Sequence, residues 1–110
     1  MAFTEIFINQ IMPTGTEIAG LYSGTSTQAI IKVINVCNVT SVPQTFSIYY
    51  NPAGSTYGVG NSMHYSQTIV GNQTVLIEGF TVLQSGAYAA VQCDASTGNR
   101  LVFTAFGATL

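Results

Sequence analysis

Residues 28–50 read QAIIKVINVCNVTSVPQTFSIYY, two long runs rich in Val, Ile, Phe, Tyr and Thr, at 28–40 and 44–50, parted around Val42 and Pro43. β-Branched and aromatic side chains favour a pleated surface, and proline interrupts strand pairing, so this stretch predicts two strands joined as a hairpin. Successive residues of a strand point to opposite faces. Ile30, Lys32, Ile34 and Val36 then share one face and Ile31, Val33, Asn35 and Cys37 the other, while Phe46, Ile48 and Tyr50 alternate with Thr45, Ser47 and Tyr49. Apolar on both sides, the first run fits a central strand with a core on one face and a neighbouring subunit or segment on the other.

The same alternation runs through most of the chain. Residues 3–12 place Ile6, Ile8 and Met12 opposite Phe3, Phe7 and Ile11, so both faces are apolar, and Pro13-Thr14-Gly15-Thr16 then breaks the pattern. Two readings of 1–16 stay open: an arm that packs against another subunit, or an ordinary edge strand. A short strand at 18–22 ends in Ser23-Gly24-Thr25-Ser26, a turn composition. Residues 51–62, NPAGSTYGVGNS, have no periodicity and form a long surface loop; such loops are usually functional or mobile, which makes this one a candidate contact loop.

Strand pattern resumes at 63–70, turns at Gly71-Asn72, and continues through 73–78 with Val75 and Ile77 on one side and Leu76 on the other. Phe80, Val82 and Leu83 follow, then Ser85-Gly86, then 87–94 with Ala89, Val91 and Cys93 inward. Ser96-Thr97-Gly98-Asn99 is a hairpin signal, and 100–106 closes the pattern with Leu101, Phe103 and Ala105 on one face. No stretch of a dozen residues keeps a helical period. The expected fold is all-β: an antiparallel β-sandwich, immunoglobulin-like or jelly-roll-like, of seven to eight strands, with one domain at 17–110 preceded by the arm or edge strand at 1–16.

Composition sharpens this in one direction. The chain has 110 residues, 47% of them hydrophobic, enough for one core without metal or disulfide support. Only 5% are charged, against about 25% in an ordinary soluble domain, yet no segment approaches the roughly 20 apolar residues of a membrane helix. A net charge of −2 gives little protection against association. Much of the surface is therefore expected to be covered by copies of the chain or by a larger assembly. The only basic residues, Lys32 and Arg100, cannot neutralise a run of phosphates or hold an anionic membrane, so neither nucleic acid nor membrane is an expected partner.

The opening MAFTEIFINQ has Glu5 where a secretory signal needs a basic region, which points to synthesis and retention in a cytoplasm. Cys37 and Cys93 lie on the strands that an immunoglobulin sandwich can bridge; in a reducing compartment two free, packed thiols are favoured over a disulfide. The sequons Asn38-Val39-Thr40 and Asn72-Gln73-Thr74 are then chance matches.

Little in the sequence carries chemistry. His64 is the only histidine and shows no zinc-type spacing with Cys37, Cys93 or Asp94. A serine, His64 and Asp94 exist by count, but no G-x-S-x-G turn presents a nucleophile. Glu5, Glu17, Glu78 and Asp94 are scattered, and Gly58-Val59-Gly60 lacks the third glycine and helix of a nucleotide-binding turn. The expectation is a non-enzyme with no catalytic, cofactor-binding or metal-binding residues. Tyr49, Tyr50, Tyr57, Tyr65 and Tyr88 could build an aromatic platform for a sugar or a protein. The plainer reading puts Tyr50 in the core and the others at an interface or rim.

The order of these patterns resembles a known group. Ala19-Gly20-Leu21-Tyr22-Ser23, then the run from Ile30 to Asn38, then Thr45-Phe46-Ser47-Ile48-Tyr49-Tyr50, resemble the opening of small β-sandwich proteins found in tailed bacteriophage particles. Val70-Gly71-Asn72-Gln73-Thr74-Val75-Leu76 resembles that group's turn before a strand, 79–83 its G-x-x-V-L step, Ser85-Gly86 its x-G-D turn, and 101–107 its terminal strand ending in glycine. Two departures stand out: Ala87 occupies the aspartate position of x-G-D, and 3–16 has no counterpart.

The resemblance, which covers 19–107, implies a virion structural protein, most readily a capsid decoration (cement) protein, often assembled in threes. Its partners would be itself and a major capsid or other virion protein, and its location the virion, assembled in a host cytoplasm. The contact candidates are Phe3, Ile6, Phe7 and Ile11 near the N-terminus, and Tyr57, Val59 and Met63 in and after the long loop. Rival readings are a head-fibre, neck or tail-fibre component or a carbohydrate-binding module engaging a receptor glycan, and a small hydrolase dependent on His64.

Overall fold

The computed structural model describes residues 4–13, 17–22, 28–54, 56–93 and 101–109. Its strands are β1 (Thr4–Ile11), β2 (Ala19–Tyr22), β3 (Ala29–Asn38), β4 (Gln44–Asn51), β5 (Ser62–Ile69), β6 (Thr74–Leu83), β7 (Tyr88–Cys93) and β8 (Leu101–Thr109), with one 3-10 turn at Val59–Asn61. They form two four-stranded sheets, in the orders β1-β8-β3-β6 and β2-β7-β4-β5. The antiparallel β-sandwich expected from the alternating pattern is the observed architecture.

The pairing has a simple logic. β1 pairs with β8, β2 with β7, β3 with β6 and β4 with β5, all antiparallel, so the first half of the chain runs alongside the second half in reverse. Contacts of β3 with β8 and β4 with β7 then stitch this long hairpin into two sheets. This is the connectivity of a jelly roll rather than of an immunoglobulin domain.

That topology corrects the expected hairpin at 28–50. β3 and β4 lie in different sheets and do not pair. The chain turns between them at Asn38, whose amide, 1% exposed, donates to the carbonyls of Val42, Ile69 and Val70 at 2.9–3.3 Å while its oxygen accepts from the Thr40 amide and hydroxyl. A buried amide so fully used holds the corner between the sheets. The hairpin expected at Ser96–Asn99 meets the same objection: the turn lies outside the described residues, but β7 and β8, which it joins, belong to different sheets. The Ser23–Ser26 turn also lies outside them. Of the sequential strands, β4 and β5 alone form a hairpin, closed by the long loop between them.

The core fills the space between the sheets. Ile31, Ile34, Val36, Leu83, Leu101 and Phe103 from one sheet meet Leu21, Phe46, Ile48, Ile69 and Val91 from the other. Phe46 and Phe103 meet edge to face at 5.9 Å, joining β4 to β8 across the sandwich. Ala89, Val91, Cys93, Leu101, Phe103 and Ala105 are all inward as the alternation predicts, and Leu76 faces out between Val75 and Ile77. Cys93 is buried and Cys37 half-buried, and both thiols are free. Cys37, out of phase with core residues Ile34 and Val36, faces away from the core that holds Cys93.

Strict alternation fails along one line across the first sheet. Between Ile31 and Val33, Lys32 is an extra residue opposite the consecutive pair Phe106 and Gly107. β1 inserts Ile8 at the same level and β6 inserts a residue between Glu78 and Thr81. A bulge reverses which face the following side chains take. Ile31 therefore turns inward to join Ile34 and Val36, and Ile30 turns outward, reversing their expected assignments. Ile8 and Ile11 likewise both pack against the core, although the pattern placed them on opposite faces.

Candidate functional site

The outer face of the β1-β8-β3-β6 sheet carries four exposed large apolar side chains, Phe7, Leu76, Val82 and Phe106. Register sets its rows. Phe7, Phe106, Val33 and Glu78 lie side by side across β1, β8, β3 and β6, and Glu5, Ala108, Ile30 and Val82 form the next row, in which Ala108 is fully buried. Phe7 and Phe106 are 56% and 45% exposed yet meet edge to face at 6.1 Å. On the edge strand β6, Leu76 and Val82 are 61% and 55% exposed. The third row is polar at Gln10, Thr104 and Asn35, where the Gln10 Nε2 donates to the Thr104 Oγ1 at 3.0 Å.

The line of bulges dents this face. A shallow hollow of about 420 Å³ is lined by Ile6, Phe7, Lys32, Val33, Phe106 and Gly107. At its floor Gly107 has no substitute, because a Cβ there would overlap the Ile30 carbonyl. The hollow is thus an apolar depression with one ammonium among its lining groups.

The middle of the other sheet's outer face is closed by the chain itself. Ser47, Tyr49 and Ala90 lie on it out of phase with the core, yet all are buried, Tyr49 to 4% exposure. Tyr49 donates to the Gln92 Oε1 at 2.6 Å, and the Tyr57 ring tilts over it at 6.1 Å. Tyr57 is held there by an ordered loop: the Asn51 amide donates to the Thr56 carbonyl, Asn51 Oδ1 accepts from Ala53, and Asn61 Oδ1 accepts from the Gly58 amide. Burial, with Tyr88 nearby, pushes the Tyr57 phenol above its ordinary ionisation range. Further along this face, Ser47 Oγ accepts from the Ser66 amide, which is in a left-handed conformation (φ 50°) at a β5 bulge.

The contact candidates separate accordingly. Phe7 lies on the open face and Ile6 at the edge of its hollow. Ile11 packs on the core instead, because the Ile8 bulge turns it inward. Phe3 lies outside the described residues. Tyr57 belongs to the closed face, Val59 is exposed at 69% beside it, and Met63 is exposed on β5. Met63 accepts a hydrogen bond from the Thr81 hydroxyl at 4.0 Å, across a cleft of about 100 Å³ between β5 and β6 that His64 and Glu78 also line. The structure does not gather these candidates into one patch.

Phe106, Val33, Ile30 and Val82 were not singled out by sequence. Phe106 was findable, since it falls out of phase with Leu101, Phe103 and Ala105; Ile30 was not, because the Lys32 bulge leaves no mark in composition.

Among the tyrosines, Tyr50 packs against the core with its hydroxyl on the Val82 carbonyl at 2.8 Å, and Tyr65 is exposed. With Tyr49 sealed, the five rings do not form one open platform. His64 pairs in register with the core residue Ile48, whereas Ser62 pairs with Tyr49 on the opposite face. Asp94 and Arg100 lie outside the described residues. Among the described residues no three of His, Cys, Asp and Glu come together as metal ligands, and no helix is long and apolar enough to cross a membrane. The sequon at Asn38 is closed to modification in the folded chain, because its amide is buried and bonded.

No family model matches the chain, and neither a curated protein nor a solved structure matches it.

Proposed function

We propose that the chain is a structural component of a bacteriophage particle, most specifically a capsid decoration protein that associates with its own copies and clamps neighbouring capsid subunits. The observation that carries this reading is the uncovered apolar face around Phe7, Val33, Phe106 and Val82 in a chain with 5% charged residues. Exposed apolar area of this kind marks an interaction surface, and a jelly-roll frame holds it rigid from below. The phage assignment itself rests on the strand-by-strand resemblance across 19–107 and goes no further than that resemblance.

The mechanism is burial. A copy seated across a junction would remove apolar surface from water on several neighbours at once, and the first contact would raise the effective concentration for each further one. Attachment driven this way survives raised salt, since about 1 M salt shortens the screening length to roughly 3 Å without weakening apolar burial. The test is to find the chain in purified particles of the genome that encodes it, by mass spectrometry and electron-microscope reconstruction, before and after a high-salt wash. Absence from the particles overturns the reading, and release by salt alone overturns the burial mechanism.

A glycan-binding fibre component is the second reading, favoured by the half-buried Tyr57 and Tyr88, which lie near one another. Binding of the isolated chain on a glycan array would select it.

A further inference from the structure

We infer that two copies of the chain join edge to edge through β6, antiparallel, about a two-fold axis at Leu76. The inference deepens the self-association proposed above and rests on it, but not on the identity of the particle.

Two open sheets leave four edge strands, here β1, β6, β2 and β5, and an edge that is not blunted is a template for another strand. Most of this edge length is blunted. β1 is interrupted at Ile8, and its Gln10 amide is taken by the Asn9 side chain. β2 is four residues long with its own irregularity, and β5 is interrupted twice, with Ser66 in a left-handed conformation. The half of β6 after its bulge is taken in part, since the Val82 carbonyl accepts from the Tyr50 hydroxyl. Residues 74–78 differ: they pair with β3 without a shift, contain no proline or lysine, and form the longest such run on any edge strand.

Register identifies the unused groups of this run. The Asn38 amide donates to the Gln73 carbonyl at 2.8 Å, and opposite residues of an antiparallel ladder alternate between bonded and non-bonded pairs. Val75 and Ile77 therefore turn their N–H and C=O groups to Val36 and Ile34. Thr74, Leu76 and Glu78 turn theirs to the open edge, where no described strand lies.

A second copy meets these groups in one register. Centred on Leu76, an antiparallel pair sets Leu76 opposite Leu76 and Thr74 opposite Glu78 twice; three residues with two groups each give six hydrogen bonds. Centring on Glu78 would oppose two carboxylates and run into the bulge, and centring on Thr74 would carry the pair into the turn at Gly71-Asn72. The run thus prescribes its own partner: its one charge meets a hydroxyl, and partly buried Val75 and Ile77 meet Ile77 and Val75 on the core side. The pair makes one eight-stranded sheet with both apolar faces on the same side. A contact along one edge falls below the roughly 1,000 Å² of a stable interface, so the pair dissociates on dilution.

Sedimentation equilibrium of the full chain, with amide hydrogen exchange read residue by residue, tests this over a wide concentration range. The expected result is a reversible two-copy mass in which the Leu76 amide exchanges at least about tenfold more slowly than in the dilute chain, while Val75 and Ile77 are protected throughout. Leu76→Pro removes only an edge-facing N–H, spares the β3 ladder, and should weaken association about 100-fold. Thr74→Lys, set opposite Glu78 twice, should tighten association about fivefold, and Thr74→Glu should weaken it as much. Thr74 is exposed, so these two variants read the register even where the proline variant fails to fold. A parent chain that stays monomeric at the highest concentration overturns the inference. So does a pair in which the Leu76 amide exchanges freely, or in which the two Thr74 variants shift association alike. The particle reading fails differently: a chain that pairs through β6 yet is absent from purified particles refutes that reading and leaves this one standing.

Discussion

The two outer faces of the sandwich are built from strands of similar length and end in opposite states. On the β2-β7-β4-β5 sheet the outward positions include small or polar Ser47, Ala90 and Gln92, and the Tyr49 ring among them is roofed by Tyr57 from the loop after β4. On the β1-β8-β3-β6 sheet the outward positions include the apolar Phe7, Phe106, Val33, Ile30 and Val82 beside the polar Gln10, Thr104, Asn35 and Glu78, and Phe7, Phe106 and Val82 stay exposed. The chain spends its long hairpin loop covering the face that is already the less apolar. That contrast is the feature on which the association proposed above depends.

The largest predicted effect tests whether the roofed face is truly closed. Ala90 has no exposed surface and sits between Tyr49 and Gly20 in register. Ala90→Asp would place a carboxylate there with no cation in reach of the described face, a cost of more than about 4 kcal/mol, because buried charge without a partner is among the most destabilising changes. Loss of the cooperative melt, or of soluble folded protein, is the expected outcome. A variant that melts within a few degrees of the parent would mean the roof lifts easily, and the comparison between the faces would collapse.

Tyr57 gives an intermediate effect with a pH signature. Tyr57→Ala removes a partly buried ring from Tyr49 and should cost about 2 kcal/mol, read from chemical denaturation. Ionisation of this phenol is harder in the folded chain than in the unfolded one, chiefly through burial. The unfolded state therefore gives up its proton first as pH rises past the ordinary tyrosine range near 10, binds fewer protons than the folded state, and is favoured. Stability contributed by the neutral ring is complete below that range and lost above it. Tyr57→Phe, which cannot ionise, should show a flatter decline above pH 10; an identical pH profile would place Tyr57 in water rather than on Tyr49.

How far the sequence foretold this contrast depends on which signal each residue left. Period-two alternation was enough to place Ala89, Val91, Leu101 and Phe103 inside and Leu76 outside, because strands with one buried face must keep phase. It was also enough to show residues 28–40 as apolar on both sides. Alternation is silent on pairing, however: β3 and β4 read as a hairpin because nothing in their pattern records that Asn38 bends the chain into the other sheet. Bulges are equally silent. Lys32 and Ile8 each shift the phase of their strand by one, and that single step exchanged Ile30 for Ile31 and drew Ile11 into the core. The open face was therefore legible in composition, as a shortage of charge, but its residues were legible only in part. Tyr57 and Phe7, proposed together as contacts, ended on different faces because sequence distance and loop character say nothing about which sheet a loop crosses.

The smallest predicted effect is the one that separates a functional face from an accidental one. Leu76 is largely exposed on the outer edge of β6, so in the isolated subunit Leu76→Asn should change stability by no more than about 0.5 kcal/mol, the range for surface positions that touch nothing special. An unneeded surface leucine would leave every other property unchanged as well. If the face is occupied in the assembled state, the same substitution should lower association measurably, because an amide that was merely wet in the monomer must be stripped of water when the partner arrives. The informative quantity is the difference between the two measurements on one protein: melting that does not move, and sedimentation that does. Should both stay still, the bareness of this sheet would be a feature of its monomer alone, and the contrast between its two faces would carry no consequence for assembly.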